Sequence, residues 1–179
     1  TMRLDTFADQ PDLSYDRQLW SDLTTLRFAE AGTGVLILGP VGVGKTHLAT
    51  ALGHIAIRRR MTVGFHRADK LFTRLRGARL DQTLEAEFRR LTRLDLLIID
   101  DLGMEISSSY ITATIYNVID TRITLKKPTI ISTNLSMQEL EKRYNERFTS
   151  RIIGFYDRLI FRGKDIRMKK KLNPQNKQN

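Results

Sequence analysis

The chain contains no cysteine, which excludes disulfides and thiolate metal sites and fits a reducing, cytoplasmic setting. Its three histidines supply no metal cluster, and no serine, histidine and aspartate fall where a nucleophilic triad could be assembled. Long hydrophobic runs are also missing. The longest, Val35–Leu38 and Leu96–Ile99, are four residues each, against the roughly 20 that a bilayer-spanning helix needs, so no membrane is expected as a partner. The N-terminus is polar and acidic and lacks the pattern of a secretory signal. The chain opens on Thr1 rather than Met, as a trimmed fragment would. Internal repeats are absent, and low complexity is confined to the polar end, Leu172–Asn179, which is expected to fray.

What remains is a chain of 179 residues, enough for one well-buried domain and too short for two comfortable ones. Hydrophobic content of 41% and charged content of 28% are ordinary for a globular protein. The net charge of +10 is unevenly spread. Residues 1–31 hold three basic and six acidic side chains, residues 58–93 eleven and four, and residues 161–179 seven and one. Two basic blocks of that size point to a polyanionic partner, most simply DNA; a solvated basic surface is the plainer alternative.

Along the chain, short apolar segments alternate with helical periodicity. A helix is expected from about Leu13 to Ala31–Gly32, then a buried strand at Val35–Leu38. A helix over Lys45–Arg59 follows, with Leu48, Leu52, Ile55 and Ala56 on one face, and a second strand at Thr62–His66. Ala68–Arg93 reads as two helical pieces broken near Gly77–Asp81. Leu96–Ile99 is a third strand, and Ile111, Ile115, Val118, Ile119 and Ile123 recur at helical spacing up to a stop at Pro128. Thr129–Thr133 is a fourth strand, Ser136-Met137-Gln138-Glu139 a capping box opening a helix, and Asp157–Phe161 a fifth strand. Strands that are apolar throughout and separated by helices predict an α/β fold, a parallel sheet covered on both faces.

The sharpest motif is Gly39-Pro40-Val41-Gly42-Val43-Gly44-Lys45-Thr46, a full match to G-x-x-x-x-G-K-[ST]. Its glycines let successive backbone N–H groups and a helix N-terminus face a phosphate. Lys45 can then reach the β- and γ-phosphates of ATP, and the Thr46 hydroxyl can take one position on Mg2+. An accidental match is expected in well under about one chain in a hundred of this length. Asp100 and Asp101 follow the third strand, where a carboxylate can hold a magnesium-bound water; Asp100 is assigned to the metal and Asp101 to polarising the attacking water. A helix cap or surface turn is the ordinary use of such a pair. Asn134 closes the fourth strand and could orient the same water, although Asn also suits a strand-to-helix turn. His47, on the first turn after the loop, is placed beside the nucleotide by position and reads as structural rather than catalytic.

These residues carry a family resemblance. Gly39–Ala49 (GPVGVGKTHLA) with Leu96–Gly103 (LLIIDDLG) resembles the AAA+ ATPases of the IstB/DnaC type, the ATP-dependent helpers of insertion-sequence transposases and the loaders of replicative helicases. The resemblance covers nearly all of residues 6–167. Ala51–His54, Arg67–Asp69 and Glu85–Glu87 look closer to the transposition helpers, and Thr129–Arg167 closer to the helicase loaders. It implies a five-stranded sheet with the fourth strand between the first and third, and Asn134 at the sensor-1 position. It also implies that Arg151 is an arginine finger acting on a neighbouring subunit's ATP in a homo-oligomer; the plainer reading of Arg151 is a basic residue on an amphipathic helix. The family's partner-docking N-terminal extension is expected to be missing or reduced to about 30 residues, and a separate C-terminal lid to be absent. Residues 1–31 are then a helical lead-in, 32–168 the ATPase domain and 169–179 a basic, disordered tail.

The leading expectation is an ATPase that binds DNA and serves a replicative helicase or transposase. Arg58, Arg59, Arg60, Arg74, Arg76 and Arg79 are the candidate DNA contacts. A small-molecule P-loop kinase, with the Arg74–Arg79 segment as its lid, and a non-hydrolysing ATP-dependent assembly switch are the rival readings.

Overall fold

A computed structural model describes residues 13–106 and 108–163. The basic tail at 169–179 lies outside the described residues. Five parallel strands form one sheet: β1 (Gly34–Leu38), β2 (Val63–Arg67), β3 (Leu96–Leu102), β4 (Thr129–Thr133) and β5 (Tyr156–Ile160). Their spatial order is β2-β3-β4-β1-β5, so β4 lies between β1 and β3 as the resemblance implied. β1, β4 and the first five residues of β3 are buried without a break, because helices cover both faces.

The alternation of side chains sorts the helices. Leu36, Leu38, Leu97, Ile99 and Ile131 point to one face, where they pack against α4 (Ala68–Leu80), α6 (Ser109–Thr124), α7 (Met137–Tyr144) and α8 (Glu146–Phe155), with Leu91 of α5 (Leu84–Arg93). Val35, Ile37, Leu96, Ile98 and Ile130 point to the other, against α1 (Arg17–Thr24), α2 (Arg27–Ala31) and α3 (Lys45–Arg58). Tyr15 and Trp20 meet Phe161 at ring separations of 5.2 and 6.1 Å, which seats the lead-in beside the last strand.

Three boundaries differ from expectation. The N-terminal helix breaks in two at Leu26, which is turned into the left-handed region (φ 58°) with its side chain buried in the same cluster as Leu23. Gly77 lies within α4; the break comes later, at 81–83, where Gln82 has φ 59°. The third strand continues through Asp100 and Asp101 to Leu102. The capping box is present: Ser136 accepts from the Glu139 N–H and Glu139 from the Ser136 N–H.

One buried cation fixes the lower end of the sheet. Arg122 of α6 is fully buried, and burial pulls its pKa down to about 10. It donates to the carbonyls of Leu91 (2.7 Å), Leu94 (2.9 Å) and Pro128 (2.7 Å) and to Thr129 Oγ1 (2.9 Å). It thus fastens the turn before β3 to the turn before β4.

Candidate nucleotide site

The loop after β1, the end of β3 and the end of β4 converge, because these three strands are neighbours and all present their carboxyl ends to one side. That is where open α/β sheets bind ligands. Residues 39–44 link β1 to α3. Gly42 (φ 80°) and Gly44 (φ 101°) hold backbone conformations that a side chain would strain, and Gly44 caps α3. Val43 is buried in the core below, so it anchors the loop and leaves only its backbone for a ligand; Pro40 keeps its carbonyl, and His47 sits half-buried on the first turn of α3.

Lys45 is only 4% exposed. Its ammonium donates to the carbonyls of Gly39 and Pro40, both at 2.7 Å, and to Asn134 Oδ1 at 2.6 Å. An ammonium has three donors and no acceptor, so the Asn134 oxygen must be the atom facing it. Asn134 therefore stands against the lysine that closes the loop, 89 positions away in sequence.

The Thr46 hydroxyl lies 2.9 Å from Asp100 Oδ2 and 3.1 Å from Oδ1. Asp100 is buried, and its Oδ1 also accepts from the Ser132 hydroxyl at 2.5 Å. Ser132 in turn accepts the Asp101 N–H at 2.9 Å. The geometry comes from a bulge. Ile99 pairs with Ile131 and Leu102 with Thr133, so Asp100 and Asp101 together oppose Ser132 alone. Asp101 takes φ 57°, a conformation rare for a residue with a side chain and found where structure over-determines it. The extra residue breaks the strict alternation of side chains at this end of the strand, so Asp100 and Asp101 do not follow the ordinary up-and-down pattern of the ladder.

Two parts of this arrangement escaped sequence reading. Ser132 was visible only as a polar residue in an apolar strand. Glu105 left no signal in spacing at all. Its side chain is fully buried, accepting the Gly103 N–H at 2.8 Å and the Tyr144 hydroxyl, with Arg143 at 3.5 Å. It ties the turn just past Asp101 to the far end of α7, the helix that begins beside Asn134. Burial and the neighbouring Glu105 push the Tyr144 hydroxyl well above its ordinary range.

Arg151 makes its contacts with α6 and α8, its Nε 2.5 Å from Asp120 Oδ1 and its guanidinium 5.1 Å from the Phe155 ring. The six arginines proposed for DNA fall into two groups on opposite faces. Arg58 ends α3, with Arg59 and Arg60 in the turn after it, whereas Arg74, Arg76 and Arg79 lie on α4. The second group is engaged within the chain: Arg74 pairs with Glu87 at 2.7 Å, Arg76 donates to the Ile106 carbonyl at 2.6 Å, and Arg79 lies 3.7 Å over the Tyr110 ring. Among the described residues no helix is long and apolar enough to cross a membrane.

Known proteins share the sequence and the fold of this chain. A family model described as "IstB-like ATP binding protein" matches residues 4–177. The putative ATP-binding protein of insertion sequence IS232 from Bacillus thuringiensis subsp. berliner is 33% identical over 140 residues, 78% of this chain and 55% of that protein. The replicative helicase loader DnaC of Escherichia coli (strain K12) is 32% identical over 116 residues, 64% of this chain and 47% of that protein. The chain thus spans about half the length of these curated relatives. Among solved structures, a DnaC helicase loader superposes with a TM-score of 0.74 at 28% identity, covering 90% of this chain and 97% of that one. A replication initiator DnaA bound to AMPPCP and single-stranded DNA shares the fold at a TM-score of 0.77 and 21% identity, covering 99% of this chain and 57% of that one. With its P-loop, its β2-β3-β4-β1-β5 sheet and a family match across nearly its whole length, the chain belongs to the IstB-like ATP-binding proteins and has the AAA+ P-loop fold.

Proposed function

We propose that this chain hydrolyses ATP in a homo-oligomer on DNA and uses the cycle to assist a DNA-remodelling partner, a transposase or a replicative helicase. The reading is supported by two contacts at the carboxyl ends of neighbouring strands, Lys45 with Asn134 and Thr46 with Asp100, and by the bulge that sets Asp101 next in line. In this reading Lys45 leaves the Gly39 and Pro40 carbonyls for the β- and γ-phosphates. Asp101 accepts a proton from the attacking water, and Asn134 orients that water. Arg151 of a neighbouring subunit neutralises charge developing on the γ-phosphate, which makes turnover depend on assembly.

Thr46 and Asp100 fit Mg2+: they are hard oxygen donors about 3 Å apart, and this ion is commonly held by one or two carboxylates plus phosphate oxygens and water. Among the described residues no group of three His, Cys, Asp or Glu side chains forms a self-sufficient metal site, so the other positions fall to the substrate's phosphates and water. When bound, the ion would draw charge from the β- and γ-phosphate oxygens.

The relatives' names support an ATP-dependent role in transposition or helicase loading. The test is ATP turnover measured against chain concentration and added DNA, without any small acceptor, together with mass in solution with an ATP analogue. Turnover that rises with assembly supports the proposal. Turnover that needs a small phosphoryl acceptor would establish the kinase reading, and a strict monomer under all conditions would remove the trans role of Arg151.

A further inference from the structure

The end of the sheet opposite the nucleotide site is built from three basic turns. The connection into β2 carries Arg58, the last residue of α3, with Arg59 and Arg60; that into β3 carries Arg93, the last residue of α5; and that into β4 carries Lys126 and Lys127. β2, β3 and β4 are adjacent, so these turns lie side by side. Two carboxylates among the described residues meet these turns, and both are engaged. Glu30 lies 3.5 Å from Arg59. Asp95 accepts from the Thr62 N–H (2.9 Å) and hydroxyl (2.8 Å) with one oxygen and pairs with Lys127 (2.7 Å) through the other. Asp95 therefore laces all three turns together, while Arg122 fastens two of them from inside. Arg58, Arg60, Arg93 and Lys126 remain exposed, with no acidic partner among the described residues.

A rigid scaffold that engages its own carboxylates and leaves four cations outward is preorganised for a polyanion. Strands about 4.8 Å apart put the outer two turns about 10 Å from each other, a reach that spans neighbouring backbone phosphates. The adjoining cavity, about 590 Å³, is lined by Thr62, Ala86, Arg89, Arg90, Arg93 and Leu94. Its arginines widen the band of cations beside Arg93, the pattern a phosphate backbone with charge on two strands would match.

We propose that this basal platform, Arg58, Arg60, Arg93 and Lys126 on three turns laced by Asp95 and Arg122, binds the phosphate backbone of duplex DNA. The inference rests on the DNA-binding reading above and sharpens it. It divides the arginines picked out by sequence, keeping Arg58 and Arg60 and adding Arg93 and Lys126. It also gives α3 a double role: its N-terminus carries Lys45 and Thr46 and its C-terminus Arg58, so one rigid helix of about 21 Å connects the two phosphate-binding ends.

The test compares the whole chain with the variant R58Q/R60Q/R93Q/K126Q and a charge-matched control, R17Q/K70Q/K142Q/R158Q, whose residues are exposed on other elements. Anisotropy of a labelled mixed-sequence duplex and of a single strand is followed from about 50 to 200 mM salt. The platform variant is expected to lose about three to four units of the log–log salt slope for duplex, to keep its affinity for an ATP analogue, and to differ clearly from the control. A platform variant matching the wild type, or matching the control, overturns the inference and leaves DNA binding standing. A loss confined to single strands overturns the choice of duplex. A wild type whose DNA binding is absent or insensitive to salt overturns the DNA reading itself, and this inference with it.

Discussion

Glu105 offers the most exacting check on how the site is held. Replacing it with alanine leaves two buried donors, the Gly103 N–H and the Tyr144 hydroxyl, without their acceptor. At about 1–3 kcal/mol for each unpaired group, the expected loss is about 2–6 kcal/mol. Arg143 adds little because its side chain is 35% exposed and its attraction is screened. For a domain of this size each kcal/mol lowers Tm by about 2–4 °C, so Glu105→Ala should melt about 10 °C below the wild type. Glu105→Gln keeps an acceptor of similar shape and should cost about 1–2 kcal/mol. Because the Gly103 turn starts two residues past Asp101, this milder variant is expected to lower kcat for ATP while leaving KM nearly unchanged. The assay pairs thermal and denaturant melts with steady-state turnover, and a double-mutant cycle with Tyr144→Phe isolates the contact, expected at about 1 kcal/mol or more of coupling. A Glu105→Ala melt within about 2 °C of wild type would refute the reasoning, as would Glu105→Gln and Tyr144→Phe effects that simply add.

Three further outcomes are expected. Asn134→Ala removes one of the acceptors holding the Lys45 ammonium, and should slow turnover about ten- to a hundredfold while nucleotide affinity changes little; an equal loss of both assigns Asn134 to binding instead. Burial, then the charges of Arg90 and Arg74, lower the His66 pKa below its usual value. Between the folded pKa and about 6.5 the unfolded chain binds more protons, so stability should fall as pH drops through that window, and His66→Gln should flatten the melting temperature there. Among the described residues Tyr156 Oη is buried without a partner at hydrogen-bond geometry, with Thr129 the polar group beside it, so Tyr156→Phe should leave stability unchanged or raise it by up to about 1 kcal/mol; a large loss in denaturant unfolding would show that the hydroxyl is paired.

Much of the fold was legible because period and punctuation agreed. Four-residue apolar runs between glycines and polar turns gave β1 and the body of β3, and the capping box opened α7 as read. Strand order was legible only through resemblance, since nothing local says that β4 inserts between β1 and β3. The P-loop could be read because its chemistry is contiguous. Residues brought together by tertiary contact were harder: Ser132 beneath Asp100 and Glu105 against Tyr144 depend on partners 32 and 39 positions away, and Arg122 reaches back 28 to 31 positions to the turn before β3. The bulge was invisible because two aspartates after a strand look the same whether they continue the ladder or leave it. Local readings failed at Leu26 and Gln82 for a related reason, since neither residue type advertises a left-handed backbone.

The most direct measurement is single-turnover ATP hydrolysis by Asp101→Asn beside the wild type, with nucleotide affinity measured on the same samples. The side chain keeps its size, and Ser132 still accepts the backbone N–H of residue 101, so binding should hold within a few-fold while hydrolysis falls by about two orders of magnitude or more. Hydrolysis at the wild-type rate in Asp101→Asn, or a wild type that binds ATP and never turns it over even when assembled on DNA, would contradict the assignment of this site as an ATPase.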